Sequence, residues 1–150
     1  MQHLCRMYVM YINRTYRCSG TLWEGRHKAS LVDAEEYLLT CYRYIEMNPV
    51  TAGMVNSPEQ YRWSSYRWHA WGNKNICIHD HHLYQQLSTT IEGRQYAYRE
   101  LFKLQIPEQD IHKVRKSLEY NYPLGNERFK QQVENALGRT VGQNQRGRPS

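Results

Sequence analysis

The sequence lacks the features that mark a secreted, zinc-ribbon or membrane protein. Its four cysteines, Cys5, Cys18, Cys41 and Cys77, form no close pair and no C-x-x-C motif, so neither a disulfide framework nor a structural zinc site is indicated. No stretch approaches the roughly 18 consecutive apolar residues of a membrane span, and the N-terminus has no signal-peptide core. We therefore expect a cytoplasmic protein with reduced thiols and no membrane partner.

Acidic residues are scarce at both ends of the chain. Residues 1–32 contain five Arg or Lys residues against Glu24 alone, and the last twelve residues contain Arg139, Arg146 and Arg148 without an acid. The net charge is +6, which favours an acidic polymer as partner. Phenylalanine is also rare, with two residues against 13 Tyr and four Trp. Such rings suit a wet surface on which bases stack, or they replace Phe in a half-buried core.

Hydrophobic periodicity predicts a mainly helical chain. Helices are predicted at 1–13, 33–49, 95–104, 111–120 and 127–137. Residues 22–31 fit an extended arm or short strand, and 138–150 lack apolar anchors, which predicts a disordered basic tail. We divide the chain into 1–72, a helical region 73–137 that would bind DNA, and the tail 138–150.

The second predicted helix has the clearest limits. Asp33 followed by Glu36 is a variant of the capping box at its start, and Pro49 is expected to end it. The predicted buried stripe consists of Leu38, Cys41, Tyr42 and Ile45.

Tyr44 and Asn48 lie four residues apart near the end of that helix, a spacing that places both side chains on one face. A tyrosine hydroxyl can open a phosphodiester by attacking phosphorus and keeping a covalent phosphotyrosine. Because a free tyrosine is a poor nucleophile at neutral pH, such chemistry calls for a divalent metal at the phosphate. A tyrosine on a helix is, however, more often a packing residue.

Three blocks resemble the IS200-like transposases, and within them the REP-associated tyrosine transposases. They are LWEGR at 22–26, YIExNPVxAG at 44–53 and WSSY at 63–66, where x marks positions 47 and 51, which are not part of the match. The resemblance is specific over about 14–71. Thr51 stands where relatives commonly carry Arg, which removes a phosphate contact and would weaken DNA binding.

The resemblance implies a DNA-binding enzyme of DNA transposition that acts on hairpin-forming single-stranded DNA through a phosphotyrosine intermediate. Tyr44 would be the nucleophile, and Asn48 would lie near a Mg²⁺ or Mn²⁺ ion. The chain corresponds to the C-terminal two-thirds of the family, so 1–72 would be the remnant of a ferredoxin-like α+β domain. The family's metal-holding His-apolar-His strand has no counterpart before Met1, so we expect the chain alone to be inactive.

The histidines His79, His81 and His82 do not replace that pair. Asp80, between the first two, is not apolar, the segment has no strand pattern, and it follows Tyr44 instead of preceding it. Zinc binding by Cys77, His79 and His82 is chemically possible and would make the chain a metal-sensing module, although a second ligand group at structural-zinc spacing is missing.

Several residues are candidates for DNA contact because cations and large rings alternate around them. They are Arg14, Arg17, Trp23, Arg26, Lys28, Arg43, Arg67, Trp68, Arg146 and Arg148. We expect Trp63 and Tyr66 in the core, with Arg67 and Trp68 exposed. The terminal Arg-Gly-Arg-Pro resembles the core of an AT-hook, or serves only solubility.

The alternative function is a non-catalytic DNA-binding protein. In that interpretation residues 111–137 form a helix-turn-helix-like pair and the basic tail adds affinity. The sequence leaves open a monomer or a homodimer.

Overall fold

A computed structural model describes residues 1–25 and 27–141, and this part of the chain is mainly helical, as predicted. Its α helices are α1 (Gln2–Tyr16), α2 (Ala34–Thr51), α3 (Tyr66–Trp71), α4 (His82–Gln85), α5 (Ile91–Lys103), α6 (Glu108–Tyr120) and α7 (Glu127–Leu137). A 3-10 turn at Pro58–Gln60 precedes α3. None of the described helices has the length and hydropathy needed to cross a bilayer.

Local capping explains where the helices begin. The Thr90 hydroxyl accepts a hydrogen bond from the Gly93 amide at 3.1 Å, so α5 starts four residues before the predicted 95. The Asn126 side chain accepts from the Phe129 amide at 2.9 Å, and α7 has the predicted limits 127–137. Asp33 is the N-cap of α2, but its side chain makes no capping hydrogen bond.

One prediction for residues 22–49 was wrong. Pro49 does not end α2, because proline removes only its own amide and the Ala52 amide still reaches the Asn48 carbonyl at 2.9 Å. Residues 22–25 and 27–31 contain no strand, which excludes the second of the two predicted forms, an extended arm or a short strand. The sole strand-like pairing in the described residues is an isolated parallel bridge between Val32 and Leu124.

Helix α2 lies between two hydrophobic clusters, and both are rich in tyrosine. The first contains the buried residues Tyr66, Ala70, Tyr84 and Tyr98, with Leu39 and Tyr42 of α2 packed against them. The second contains the buried residues Tyr37, Val114 and Leu124, with Val32, Cys41 and Tyr44 packed against them. Tyrosine thus supplies much of the core, the second of the two roles that composition allowed.

Because α2 is covered on two sides, a single predicted stripe does not describe it. Ile45 was predicted to be buried but is 58% exposed, whereas the neighbouring Glu46 is fully buried. Trp63 was expected in the core and is 74% exposed, while Tyr66 is buried as expected. Leu118 of α6 is also exposed, although Val114 on the same helix is buried.

The buried Glu46 carboxylate joins α2 to α3 and α5. Its oxygens accept hydrogen bonds from the Ser65 hydroxyl at 2.5 Å and the Tyr98 hydroxyl at 2.8 Å. His69 Nδ1 lies 3.4 Å from Glu46 Oε1, and the imidazole is packed among Tyr42, Tyr84 and Tyr98. These bonds compensate for removing a carboxylate from water, so they fix the position of α2 relative to α3 and α5.

Candidate nucleic-acid groove

A groove of about 320 Å³ runs between the C-terminal half of α2 and the segment that joins α5 to α6. Tyr44 and Asn48 both line it, as the four-residue spacing predicted. Its basic lining residues are Arg43, Lys103 and Arg115, and its apolar lining includes Met47, Phe102 and Ile111. The groove therefore combines a tyrosine, an amide and three cations with an apolar wall.

Tyr44 and Asn48 differ in how they are held. Tyr44 is half-buried and packs against the second cluster, which restricts its ring. Asn48, one turn later, is exposed. The two residues thus line the same groove, one packed against a hydrophobic cluster and the other exposed.

The three cations of the groove are also held differently. The Arg43 guanidinium donates from Nη2 to the Leu104 carbonyl, and burial lowers its pKa from the ordinary value, although guanidinium remains charged. Lys103 is exposed and lies 2.6 Å from the Glu100 carboxylate. Arg115 on α6 is exposed. Arg43 thus supports the groove wall, whereas Lys103 and Arg115 are exposed cations, with Lys103 paired to Glu100.

The described residues do not fit a resident Mg²⁺ or Mn²⁺ ion. The groove offers one carboxylate, Glu108, besides the Asn48 amide. Across 1–25 and 27–141, no group of three or more His, Cys, Asp or Glu side chains is placed to hold a metal. The divalent metal implied by the resemblance would need ligands beyond these residues.

Four other predicted DNA contacts, Arg14, Arg17, Trp23 and Lys28, are not among the residues that line the groove. Arg14 and Arg17 are exposed at the end of α1, and Lys28 is exposed farther along. Trp23 is 45% exposed, and its indole nitrogen donates to the Cys5 carbonyl at 3.5 Å. No hydrogen bond, ion pair or ring contact of the described residues joins these side chains to the groove.

Three predicted contacts, Arg26, Arg146 and Arg148, lie outside the described residues. The prediction that Arg67 and Trp68 are exposed was wrong, because both are half-buried. Arg67 Nε donates to the Glu59 carbonyl at 2.6 Å, and Trp68 Nε1 donates to Asp80 Oδ1 at 2.6 Å. These hydrogen bonds anchor α3 to the preceding turn and the following loop.

The histidine segment has a structural role in the described part of the chain. His81 is the N-cap of α4, and its Nδ1 accepts from the Leu83 amide at 3.3 Å. Asp80 is bound to Trp68, and His79 and His82 are exposed. Helix capping therefore explains His81, and the hydrogen bond to Trp68 explains Asp80.

Sequence reasoning missed Lys103 and Arg115, because the groove joins α2 to residues that lie more than fifty positions later in the chain. It also missed Glu46. The sequence does carry a signal for Glu46. It is an acidic residue between apolar residues of α2, at a position where an exposed helix face is not expected.

We predict that Tyr98 makes the fold sensitive to alkali. Burial and the neighbouring Glu46 carboxylate raise the pKa of the Tyr98 hydroxyl well above its ordinary value. Since the unfolded tyrosine ionises near pH 10, its contribution to stability is complete below about pH 10 and is lost as pH rises further.

Urea denaturation from pH 7 to 11 checks this prediction. The free energy of unfolding should fall above about pH 10, and Tyr98→Phe should reduce that fall while costing about 1–3 kcal/mol at pH 7, because Glu46 loses a donor. The exposed Tyr96→Phe is the control and should change neither quantity. An equal alkaline loss in the wild type and in Tyr98→Phe would contradict the assignment to Tyr98.

The helices α6 and α7 were candidates for a helix-turn-helix. They are joined by six residues, 121–126, and this connection holds Leu124 in its bridge to Val32. The turn of a DNA-binding helix-turn-helix has three or four residues. The geometry therefore does not favour this alternative.

No family model, curated protein or solved structure matches this chain. The resemblance to tyrosine transposases thus remains one of sequence motifs. The function has to be argued from the groove.

Proposed function

We propose that this chain is a DNA-binding protein of the tyrosine-transposase type, which holds hairpin-forming single-stranded DNA in the groove with Tyr44 as the nucleophilic residue. One observation carries the proposal: the groove brings Tyr44 and Asn48, predicted from motifs, together with Lys103 and Arg115, which no motif indicated. Independent lines of reasoning thus lead to the same surface.

The chemistry of the groove suits single-stranded DNA better than double-stranded DNA. Proteins that bind single strands combine a positive groove for the backbone with apolar or aromatic surfaces for the bases. Here Lys103 and Arg115 supply exposed charge, and Met47 and Phe102 supply apolar surface beside it. The sugar-phosphate backbone would lie along the cations, with a base against the apolar wall.

The proposed reaction is a transfer of the DNA phosphoryl group to Tyr44. The Tyr44 oxygen bonds to phosphorus as its proton is lost, and the bond from phosphorus to the departing DNA oxygen breaks, with that oxygen taking up a proton. Packing against the second cluster limits the positions of the Tyr44 ring, which favours an aligned attack. Asn48 would orient the phosphate by hydrogen bonding.

A salt titration tests the binding part of the proposal. If Lys103 and Arg115 each neutralise one phosphate, the logarithm of affinity for a hairpin oligonucleotide should fall with a slope of about −1.4 against log salt. Affinity should then drop about 7-fold between 50 and 200 mM salt. Fluorescence anisotropy measures this directly, and an affinity that does not change over that range would exclude phosphate contact in the groove.

A further inference from the structure

Helix α1 is unusual because it has 15 residues and none of them is buried. A helix of this length is marginal in water unless an apolar face is covered. Leu4 is 64% exposed, Met7 50%, Tyr8 49% and Tyr11 62%. These four residues have the i, i+3, i+4, i+7 spacing of one helix face, and we call them the α1 stripe.

The contacts of α1 with the rest of the chain lie mainly on a different face. Trp23 bonds the Cys5 carbonyl, and the Asn13 amide donates to the Gly20 carbonyl at 3.0 Å. Cys5, Val9 and Ile12 are accordingly half-buried. Within the described residues, the ring contact of the α1 stripe is at its edge, where the Tyr8 and Trp23 ring centroids lie 6.2 Å apart.

The whole chain also exposes more surface than a monomeric protein of its mass. Its accessible surface is 12203 Å², whereas about 8,000 Å² is expected for a folded monomer of 18.0 kDa. Part of this exposed surface belongs to α1, none of whose residues is buried.

We propose that a second copy of this chain covers the α1 stripe, with the two α1 helices antiparallel about a two-fold axis between residues 7 and 8. The stripe is symmetric about that point, so Leu4 would face Tyr11 of the second copy, while Met7 and Tyr8, next to the axis, would each lie beside the same residue of the second copy. A two-fold interface requires this kind of self-complementary surface. Pairing a small with a large side chain at both ends also permits close packing of the helices.

The available area is sufficient for a specific dimer. With the flanking Met1, which is 64% exposed, the stripe presents about 600 Å² per copy if a large side chain exposes roughly 200 Å². Two copies would bury about 1,200 Å², the lower limit of stable, specific interfaces. We therefore expect a reversible dimer with a dissociation constant in the micromolar range, independent of DNA.

Sedimentation velocity without DNA, from 1 to 100 μM protein, tests the dimer. The wild type should change from monomer to dimer over this range, and Leu4→Glu with Tyr11→Glu should weaken association at least 100-fold. The matched control, Met54→Glu with Ile76→Glu, adds the same charge at two exposed apolar residues outside α1 and should leave association unchanged. A wild type that stays monomeric at 100 μM would overturn the proposal.

Disulfide trapping provides a test that does not depend on how the charged variant folds. In a background with the exposed Cys18 and Cys77 changed to Ser, Tyr8→Cys should form a covalent dimer on mild oxidation. Arg6→Cys, on another face of α1, should not. Equal cross-linking of both variants would contradict the antiparallel arrangement.

A basic amphipathic helix can also bind an anionic membrane surface, and anionic vesicles test for that partner. Phosphatidylserine vesicles should not carry the protein down in a sedimentation assay. Monomeric protein that co-sediments with them, and is released by Leu4→Glu with Tyr11→Glu, would assign the stripe to a lipid surface instead. None of these experiments uses DNA. Their results therefore do not depend on whether the proposed DNA binding is correct.

Discussion

Replacing Glu46 with alanine is expected to lower the free energy of unfolding by about 3–5 kcal/mol, enough to unfold many domains of this size. The substitution removes the acceptor for Ser65 and Tyr98 and leaves their hydroxyls buried without that partner. It also opens a cavity beside His69, which is 1% exposed. Urea denaturation followed by circular dichroism measures the loss.

Glu35→Ala is the matched control, because Glu35 is exposed on the same helix. It should cost at most about 1 kcal/mol, the value of a favourable charge in the first turn. Glu46→Gln keeps the shape and one acceptor oxygen, so it should cost less than Glu46→Ala. Similar stabilities of Glu46→Ala and Glu35→Ala would show that the buried carboxylate does not hold α2 to α3 and α5.

The second large effect concerns Tyr44. The resemblance implies a metal-holding histidine pair that the described residues do not supply, so we expect no covalent adduct with DNA from residues 1–150 alone. When the histidine-bearing segment of a tyrosine transposase is fused ahead of Met1, an adduct should form with a hairpin oligonucleotide. Tyr44→Phe should abolish it and leave DNA affinity within about twofold, because only the attacking oxygen is lost.

Denaturing gel electrophoresis with labelled DNA detects the adduct. Tyr96→Phe, an exposed tyrosine on α5, is the control and should form the adduct at the wild-type level. Asn48→Ala should slow adduct formation without abolishing it, because water can partly replace the amide. An adduct that persists in Tyr44→Phe would identify another of the 13 tyrosines as the nucleophile.

The sequence predicted the parts of the fold that local rules determine. The last helix has the expected limits because Asn126 caps it and an αL glycine, Gly138, ends it. The short helices α3 and α4 were missed because they are too short for a periodic pattern to be visible. Ile45 and Glu46 were placed on the wrong sides because α2 has two packed faces, and a single stripe does not represent them.

The groove could be predicted only in part, for the same reason. The spacing of Tyr44 and Asn48 is local and follows from helix geometry. Lys103 and Arg115 reach the same groove through packing between α2 and later helices, which no local pattern shows. Conversely, the sequence around Arg67 and Trp68 predicts an open basic and aromatic surface. In the structure Arg67 Nε donates to the Glu59 carbonyl and Trp68 Nε1 donates to the Asp80 carboxylate.

The affinity of a hairpin-forming single-stranded oligonucleotide for groove variants tests the proposed function most directly. Lys103→Gln with Arg115→Gln should weaken binding by about 10- to 100-fold at 50 mM salt and reduce the salt slope by about 1.4, since two phosphate contacts are lost. Lys74→Gln with Arg128→Gln removes the same charge from exposed positions outside the groove and should change affinity less than threefold. Equal losses in the two double variants would mean that net charge alone attracts DNA and that the groove of Tyr44 is not its binding site.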